Sequence, residues 1–176
     1  MRLLRGLLKL LGLVLLAALL VAAGGFGWLT ATEYRPDDIE GLRVSAAARN
    51  TAVRVGDMLK VVSLNTGYAG LDRAQDFFLD GGSGVRAESR ARVESNMAGI
   101  VSALAAQKAQ IVLLQEVDED SARSYGTDQK EYYRHGLSLN AAFAYNYRCG
   151  YVPFPWPPLG RVNSGLMTLT ELNVTQ

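Results

Sequence analysis

Strand, helix and strand follow one another between Lys60 and Val117, and that succession decides the kind of sheet this chain can build. Lys60-Val61-Val62-Ser63-Leu64-Asn65 is a short valine-rich run of strand length. From Glu88 to Gln107 the pattern changes. Val93, Met97, Ile100, Val101 and Leu104 recur at steps of three and four, which lays one apolar stripe along a helix. Ile111-Val112-Leu113-Leu114-Gln115-Glu116-Val117 follows at once, an apolar run that predicts a strand covered on both faces. A helix joined to both strands in this way predicts a crossover unit with parallel strands.

Both strands carry an oxygen-bearing side chain at their ends. Alternation puts Val112, Leu114 and Glu116 on one face, where a carboxylate is costly unless a cation or hydrogen bonds receive it. The local sequence leaves two readings open. Either the strand stops at Gln115 and Glu116 is solvated in the next loop, or the carboxylate is placed for a partner. Asn65, at the end of the upstream strand, favours the second.

The loops between these elements are informative in different degrees. Thr66 to Gly84 contains five glycines together with Asp72, Asp76 and Asp80. No Gly-Lys-Ser/Thr closes it, so it is not a Walker loop, and its acids read as surface residues. Asp118 to Tyr125 follows the second strand at the edge where α/β sheets bind ligands. Arg123 there offers a bidentate phosphate donor, and Ser124 and Tyr125 offer hydroxyls. Arg86, Arg90 and Arg92 stand at or before the helix start, unfavourably for its dipole. They read as a solvated face or as contacts to an anionic partner.

Asp128 to Leu139 reads as a short helix carrying the sole histidine, His135, as a surface residue. Phe143 to Arg148 and Ser164 to Leu169 read as strands. Between them lie four prolines within residues 153–158, a stiff extended loop that cannot join a central sheet. Its aromatics either pack as a flap or line a groove, and the exposure of Trp156 decides between these.

At the N-terminus, Arg2, Arg5 and Lys9 precede an uncharged run from Leu10 to Leu29. Its length suits a bilayer-spanning helix. Residues 1–29 therefore read as a single-span anchor with the basic flank cytoplasmic and the remainder of the chain outside the cell membrane. Ala23-Gly24-Gly25 offers a cleavage site, which leaves a secreted product as the alternative. Residues 30–57 read as a juxtamembrane connector in which Pro36 interrupts any helix, with 51–55 as a candidate edge strand. Residues 58–176 are the folded part. A formal net charge of +1 gives no electrostatic case for a general nucleic-acid binder. The single cysteine, Cys149, excludes an internal disulfide framework and a four-cysteine zinc site.

A strand ending Ser63-Leu64-Asn65, an amphipathic helix, and a strand ending Leu113-Leu114-Gln115-Glu116-Val117 together resemble the first half of the endonuclease/exonuclease/phosphatase superfamily. That family includes metal-dependent nucleases, inositol-phosphate phosphatases and bacterial sphingomyelinases. Asn65-Thr66-Gly67-Tyr68-Ala69-Gly70-Leu71, Asp76-Phe77-Phe78-Leu79-Asp80-Gly81-Gly82 and Gly160-Arg161-Val162-Asn163-Ser164-Gly165-Leu166 resemble a membrane-anchored bacterial branch of it. The resemblance runs from about Leu59 to Leu172.

The resemblance implies an α/β fold, part of a four-layer α/β sandwich, behind a transmembrane helix. It implies a divalent-metal-dependent phosphoesterase, with Mg2+ or another cation such as Mn2+ held by Glu116 and, directly or through water, by Asn65. Arg123 and Tyr125 are candidate substrate-binding residues. Membrane tethering and the small net charge favour a phospholipid headgroup or small phosphoester over nucleic acid. The family's Gly-Asp-x-Asn and Ser-Asp-His motifs do not occur in these residues, and His135 matches neither. The likeness therefore covers the N-terminal half alone, carries over no catalytic residue, and implies a fragment inactive by itself. One sheet face should then lack its partner, with Val62, Leu64, Val112 and Leu114 as candidates for either face. Two other readings stand beside this one, a degenerate anchored product and an unrelated surface-anchored α/β binding module in which Glu116 is structural.

Overall fold

The computed structural model describes residues 2–47 and 50–174, and the chain divides into two units between Glu33 and Tyr34. The first unit is helix α1 (Arg2–Ala31), in which no residue is buried. Its most apolar 18-residue window has a mean hydropathy of 2.5, and the helix is long and apolar enough to cross a membrane. It takes in Arg2, Arg5 and Lys9 as well as the uncharged run.

The second unit is mixed α/β. Its strands are β1 (Val44–Ser45), β2 (Val61–Asn65), β3 (Ile111–Asp118), β4 (Asn140–Val152) and β5 (Gly160–Thr170). Among the described residues they form one sheet in the order β1-β4-β5-β3-β2. Helix α2 (Arg90–Gln107) connects β2 to β3, and those two strands pair in parallel from Val61↔Ile111 to Asn65↔Gln115, as the crossover predicts. The other pairings are antiparallel. β4 and β5 form a hairpin much longer than the two alternating segments suggest, and the proline-rich stretch is its tip.

Local chemistry sets the helix ends. Ser89 is the N-cap of α2, its hydroxyl oxygen accepting the Arg92 N–H at 3.2 Å. Lys108 closes the helix in the left-handed region. Helix α3 (Gln129–Leu137) begins at Asp128, whose carboxylate accepts the Glu131 N–H at 3.0 Å. Caps of this kind satisfy donors that a helix start leaves without intrahelical partners.

Val93, Met97 and Leu104 of α2 and Tyr133 of α3 pack with Val112, Leu114 and Val117 of β3 and Met167 and Leu169 of β5. Val62 and Leu64 join the same cluster. The four residues that sequence could not place thus lie on the helix-covered face. The expectation that β3 is covered on both sides needs correction, since Leu113 is 36% exposed. Val61 and Leu166 are likewise exposed, at 52% and 47%. Among the described residues, no layer covers that face.

From Tyr34 onward, the segment read as a connector is part of the second unit, and its first residues belong to the first. Tyr34 packs edge-on against Tyr145 of β4 with ring centres 6.3 Å apart. The edge strand is Val44–Ser45 rather than 51–55, and Thr51 makes one isolated bridge to Leu172. Asn140 explains the location, because its Oδ1 accepts the Ala47 N–H at 2.6 Å and its Nδ2 donates to the Leu172 carbonyl at 2.8 Å.

Candidate functional site

β2 and β3 lie side by side and end together, so Asn65 and Glu116 emerge at one edge of the sheet. Asn65 Nδ2 donates to Glu116 Oε1 at 2.9 Å, and Asn65 Oδ1 accepts the Gly67 N–H at 2.9 Å. Thr66 Oγ1 lies 3.0 Å from the carbonyl oxygens of both Gln115 and Glu116, tying the strand ends together.

Glu116 owes its position to an irregularity in β3. Leu114 pairs with Met167 but Val117 pairs with Gly165, so Gln115 and Glu116 together face the single residue Leu166. This is a β-bulge, a device that re-aims a side chain. Glu116 has φ +54°, in the left-handed region that a residue with a Cβ adopts only at a cost. Simple alternation misses this, because the extra residue shifts the phase and leaves Val117 and Asp118 both buried.

A cleft of about 330 Å³ opens beside this edge, with Glu116, Arg123 and Ser164 among its polar lining groups. Leu71 and Leu79 come from the loop after β2, and Val152 and Leu159 come from the hairpin end. The cleft is therefore largely apolar, with a few polar groups grouped near the bulge.

Arg123 is held there by a buried partner. Its Nε and Nη2 donate to the two oxygens of Asp118 at 3.0 and 2.8 Å, and Nη2 also reaches Ser164 Oγ at 3.2 Å. Asp118 is fully buried and also accepts from Ser124 Oγ at 2.9 Å. The guanidinium carbon stands 4.1 Å from the ring centre of Tyr68. Burial works against the Arg123 charge, but Asp118 outweighs it and holds the guanidinium above its ordinary pKa. Nη1 makes no hydrogen bond among the described residues and remains the donor available to a ligand. Sequence reasoning missed Asp118, although a carboxylate five residues before an arginine in a turn is the available signal.

Tyr125, read as a second substrate contact, is placed differently. Its hydroxyl donates to the Ala87 carbonyl at 2.9 Å and lies 3.2 Å from that of Glu88, fastening this loop to the approach to α2. The three arginines near that helix also have partners. Arg90 pairs with Glu94, Arg92 with Glu88 and Asp72, and Arg86 donates to the Pro158 carbonyl at 3.1 Å. Asp72 and Asp76 accept hydrogen bonds from their own loop, from the N–H groups of Ala74 and Ser83. The Asp80 side chain lies outside the described residues. His135 is exposed and Cys149 is a free, half-buried thiol.

Comparison with protein-family models, curated proteins and solved structures returns no match. The site is therefore read from its own chemistry. Among the described residues no three His, Cys, Asp or Glu side chains gather as a metal cluster. A smaller donor set is present. Glu116 Oε2 accepts no hydrogen bond among the described residues, and Asn65 Oδ1 keeps one lone pair beyond its bond to Gly67. One carboxylate and one amide oxygen suit Mg2+, which keeps several waters and takes few protein ligands.

Proposed function

We propose that this chain is the N-terminal part of a membrane-tethered, divalent-metal-dependent phosphoesterase of the endonuclease/exonuclease/phosphatase type. The sheet described above would be one layer of that family's four-layer sandwich. The observation that carries this reading is the 2.9 Å meeting of Asn65 and Glu116 at the ends of adjacent parallel strands, beside a cleft. An uncovered sheet face bearing Val61, Leu113 and Leu166 supports the sandwich. In this reading α1 is a single-span anchor in the cell membrane, with the folded unit outside.

Glu116 would hold Mg2+ or Mn2+ through Oε2, with Asn65 orienting the carboxylate through Nδ2 and a bound water through Oδ1. The cation would neutralise a phosphoryl oxygen. Arg123, fixed by Asp118, would present Nη1 to another phosphate oxygen, while the apolar cleft walls would exclude water from the remainder of the substrate. A cleft with apolar walls and a charged end suits a phospholipid headgroup or small phosphoester better than a nucleic-acid backbone, which calls for an extended basic surface.

One observation favours the alternative of an anchored binding module. Arg123 and Glu116 both already have partners within the chain. Titration with Mn2+, followed by electron paramagnetic resonance of the whole chain in detergent, separates the two. The phosphoesterase reading expects binding that falls at least tenfold in Glu116→Gln. Absence of Mn2+ binding by the unaltered chain overturns it.

A further inference from the structure

We propose that the tip of the β4–β5 hairpin inserts into the headgroup boundary of an anionic phospholipid bilayer. The inference rests on the reading of α1 as a membrane anchor. Phe154 and Trp156 are 74% and 85% exposed, so neither packs on its own domain, and Leu79 on the opposite cleft wall is 73% exposed. Large aromatics left in water call for a partner, and tryptophan is enriched at the membrane–water boundary, where its ring is amphipathic.

The chemistry of the tip selects lipid. Residues 149–160 carry no charged side chain, whereas Arg148 and Arg161 flank them on both sides. Arg161 pairs with Asp120, but Arg148 stacks on Tyr145 and makes no ion pair among the described residues. An uncharged tip with a cationic shoulder matches the layering of an anionic membrane surface, apolar below and negative at the headgroups. Pro153, Pro155, Pro157 and Pro158 have no backbone N–H. At the exposed Pro153 and Pro157 this removes two donors that would otherwise have to find partners as the backbone leaves water, while Pro155 is already buried. A tip built to dock on a polar protein surface gains nothing from that loss.

The tether makes a weak insertion sufficient. Only Thr32 and Glu33 separate the end of α1 from Tyr34, whose ring already packs on Tyr145 of the hairpin's own first strand. Insertion by a chain already anchored is intramolecular in effect, so modest intrinsic affinity gives high occupancy. The cleft walls formed by Leu79, Val152 and Leu159 would then open towards the lipid surface, bringing headgroups within reach of Arg123 and Glu116.

The chain has two tryptophans, Trp28 in α1 and Trp156 in the tip, and each can report alone. The whole chain is reconstituted into phosphatidylcholine–phosphatidylglycerol vesicles with brominated acyl chains. In Trp28→Phe, Trp156 should emit at shorter wavelength than in water and lose intensity to bromine near the headgroups. Adding Phe154→Asp should abolish that quenching with an unchanged far-UV circular dichroism spectrum. In Trp156→Phe, quenching of Trp28 reports the anchor independently. Quenched Trp28 with unquenched Trp156 overturns the insertion and leaves the tip to water or a protein partner. Unquenched Trp28 overturns the anchor reading itself, and the tether argument with it.

Discussion

Arg123 grips Asp118 by both carboxylate oxygens, with Nη2 2.8 Å from Oδ1 and Nε 3.0 Å from Oδ2. Asp118 is fully buried and the Arg123 side chain is 16% exposed, so each charge depends on the other. Removing one partner of such a pair strands the other away from water. Asp118→Ala should therefore destabilise the folded unit by about 3–5 kcal/mol. Replacing both residues by apolar side chains of similar size should recover most of that loss, because no uncompensated charge remains. Thermal melts of the single and double variants check both outcomes.

Glu116 sits in the bulge at φ +54°, and backbone strain of this kind amounts to about 1–3 kcal/mol. Glu116→Gly relieves it at an entropic cost of roughly 0.5–1 kcal/mol. The glycine variant should match or exceed the parent in melting temperature while losing Mn2+ binding. Glu116→Gln keeps both the shape and the strain, so it should lose binding with an unchanged melt. A glycine variant that unfolds far below the parent would show that the carboxylate is a structural group.

Gly165 faces Val117 on one side and Tyr145 on the other, at the point where β5 meets the bulge. A Cβ there would stand 2.2 Å from the Ala144 carbonyl oxygen and 2.5 Å from the Phe143 ring. The oxygen belongs to the backbone of a paired strand and cannot yield without disturbing the ladder. Gly165→Ala should cost about 1–3 kcal/mol, read from denaturant midpoints, and should weaken Mn2+ binding by shifting the bulge.

The crossover unit was legible because it depends on composition and period alone. Valines at 61 and 62, the stripe from Val93 to Leu104 and the apolar run from Ile111 each point to one element, and packing agreed with all three. The meeting of Asn65 with Glu116 was accessible for the same reason, since adjacent parallel strands bring their ends together. The bulge was not, because one inserted residue leaves no mark on a pattern of apolar letters. The Asp118–Arg123 pair escaped for a related reason, as phase beyond a bulge decides whether a carboxylate turns inward. Tyr125 shows the converse error. A hydroxyl near a sheet edge suits a ligand chemically, but two carbonyls before α2 were nearer.

Tyr68 is buried with a hydroxyl that has no hydrogen-bond partner among the described residues. Burial, with the neighbouring Asp118 and Glu116 charges adding to it and Arg123 opposing, pushes its pKa up to about 12 from an ordinary 10.0. In that interval the folded state keeps a proton that the unfolded state has released. Stability from this group is complete below pH 10.0 and falls as pH rises towards 12, by on the order of 2–3 kcal/mol. Tyr68→Phe should lose this part of the alkaline instability. It should also gain about 1 kcal/mol at neutral pH, because an unsatisfied buried hydroxyl is gone. Urea midpoints measured from neutral to strongly alkaline pH test the slope and the offset separately.

Leu113 and Leu166 lie on the sheet face opposite α2 and α3, 36% and 47% exposed, with Val61 at 52%. Apolar side chains on a flat sheet face give molecules a surface on which to associate. Removing them should reduce association without loosening the fold, since the helix-covered core is built from Val112, Leu114, Met167 and Leu169 on the other side. The double variant Leu113→Thr, Leu166→Thr places a β-branched residue, suited to a strand, at each position. Its stability should stay within about 0.5 kcal/mol of the parent, as exposed substitutions usually do. Sedimentation of the chain in detergent should show self-association for the parent and a single species for the variant. If instead the substitutions lowered the melting temperature sharply, that face would be a packed one, and the case for an open layer of a sandwich would fail.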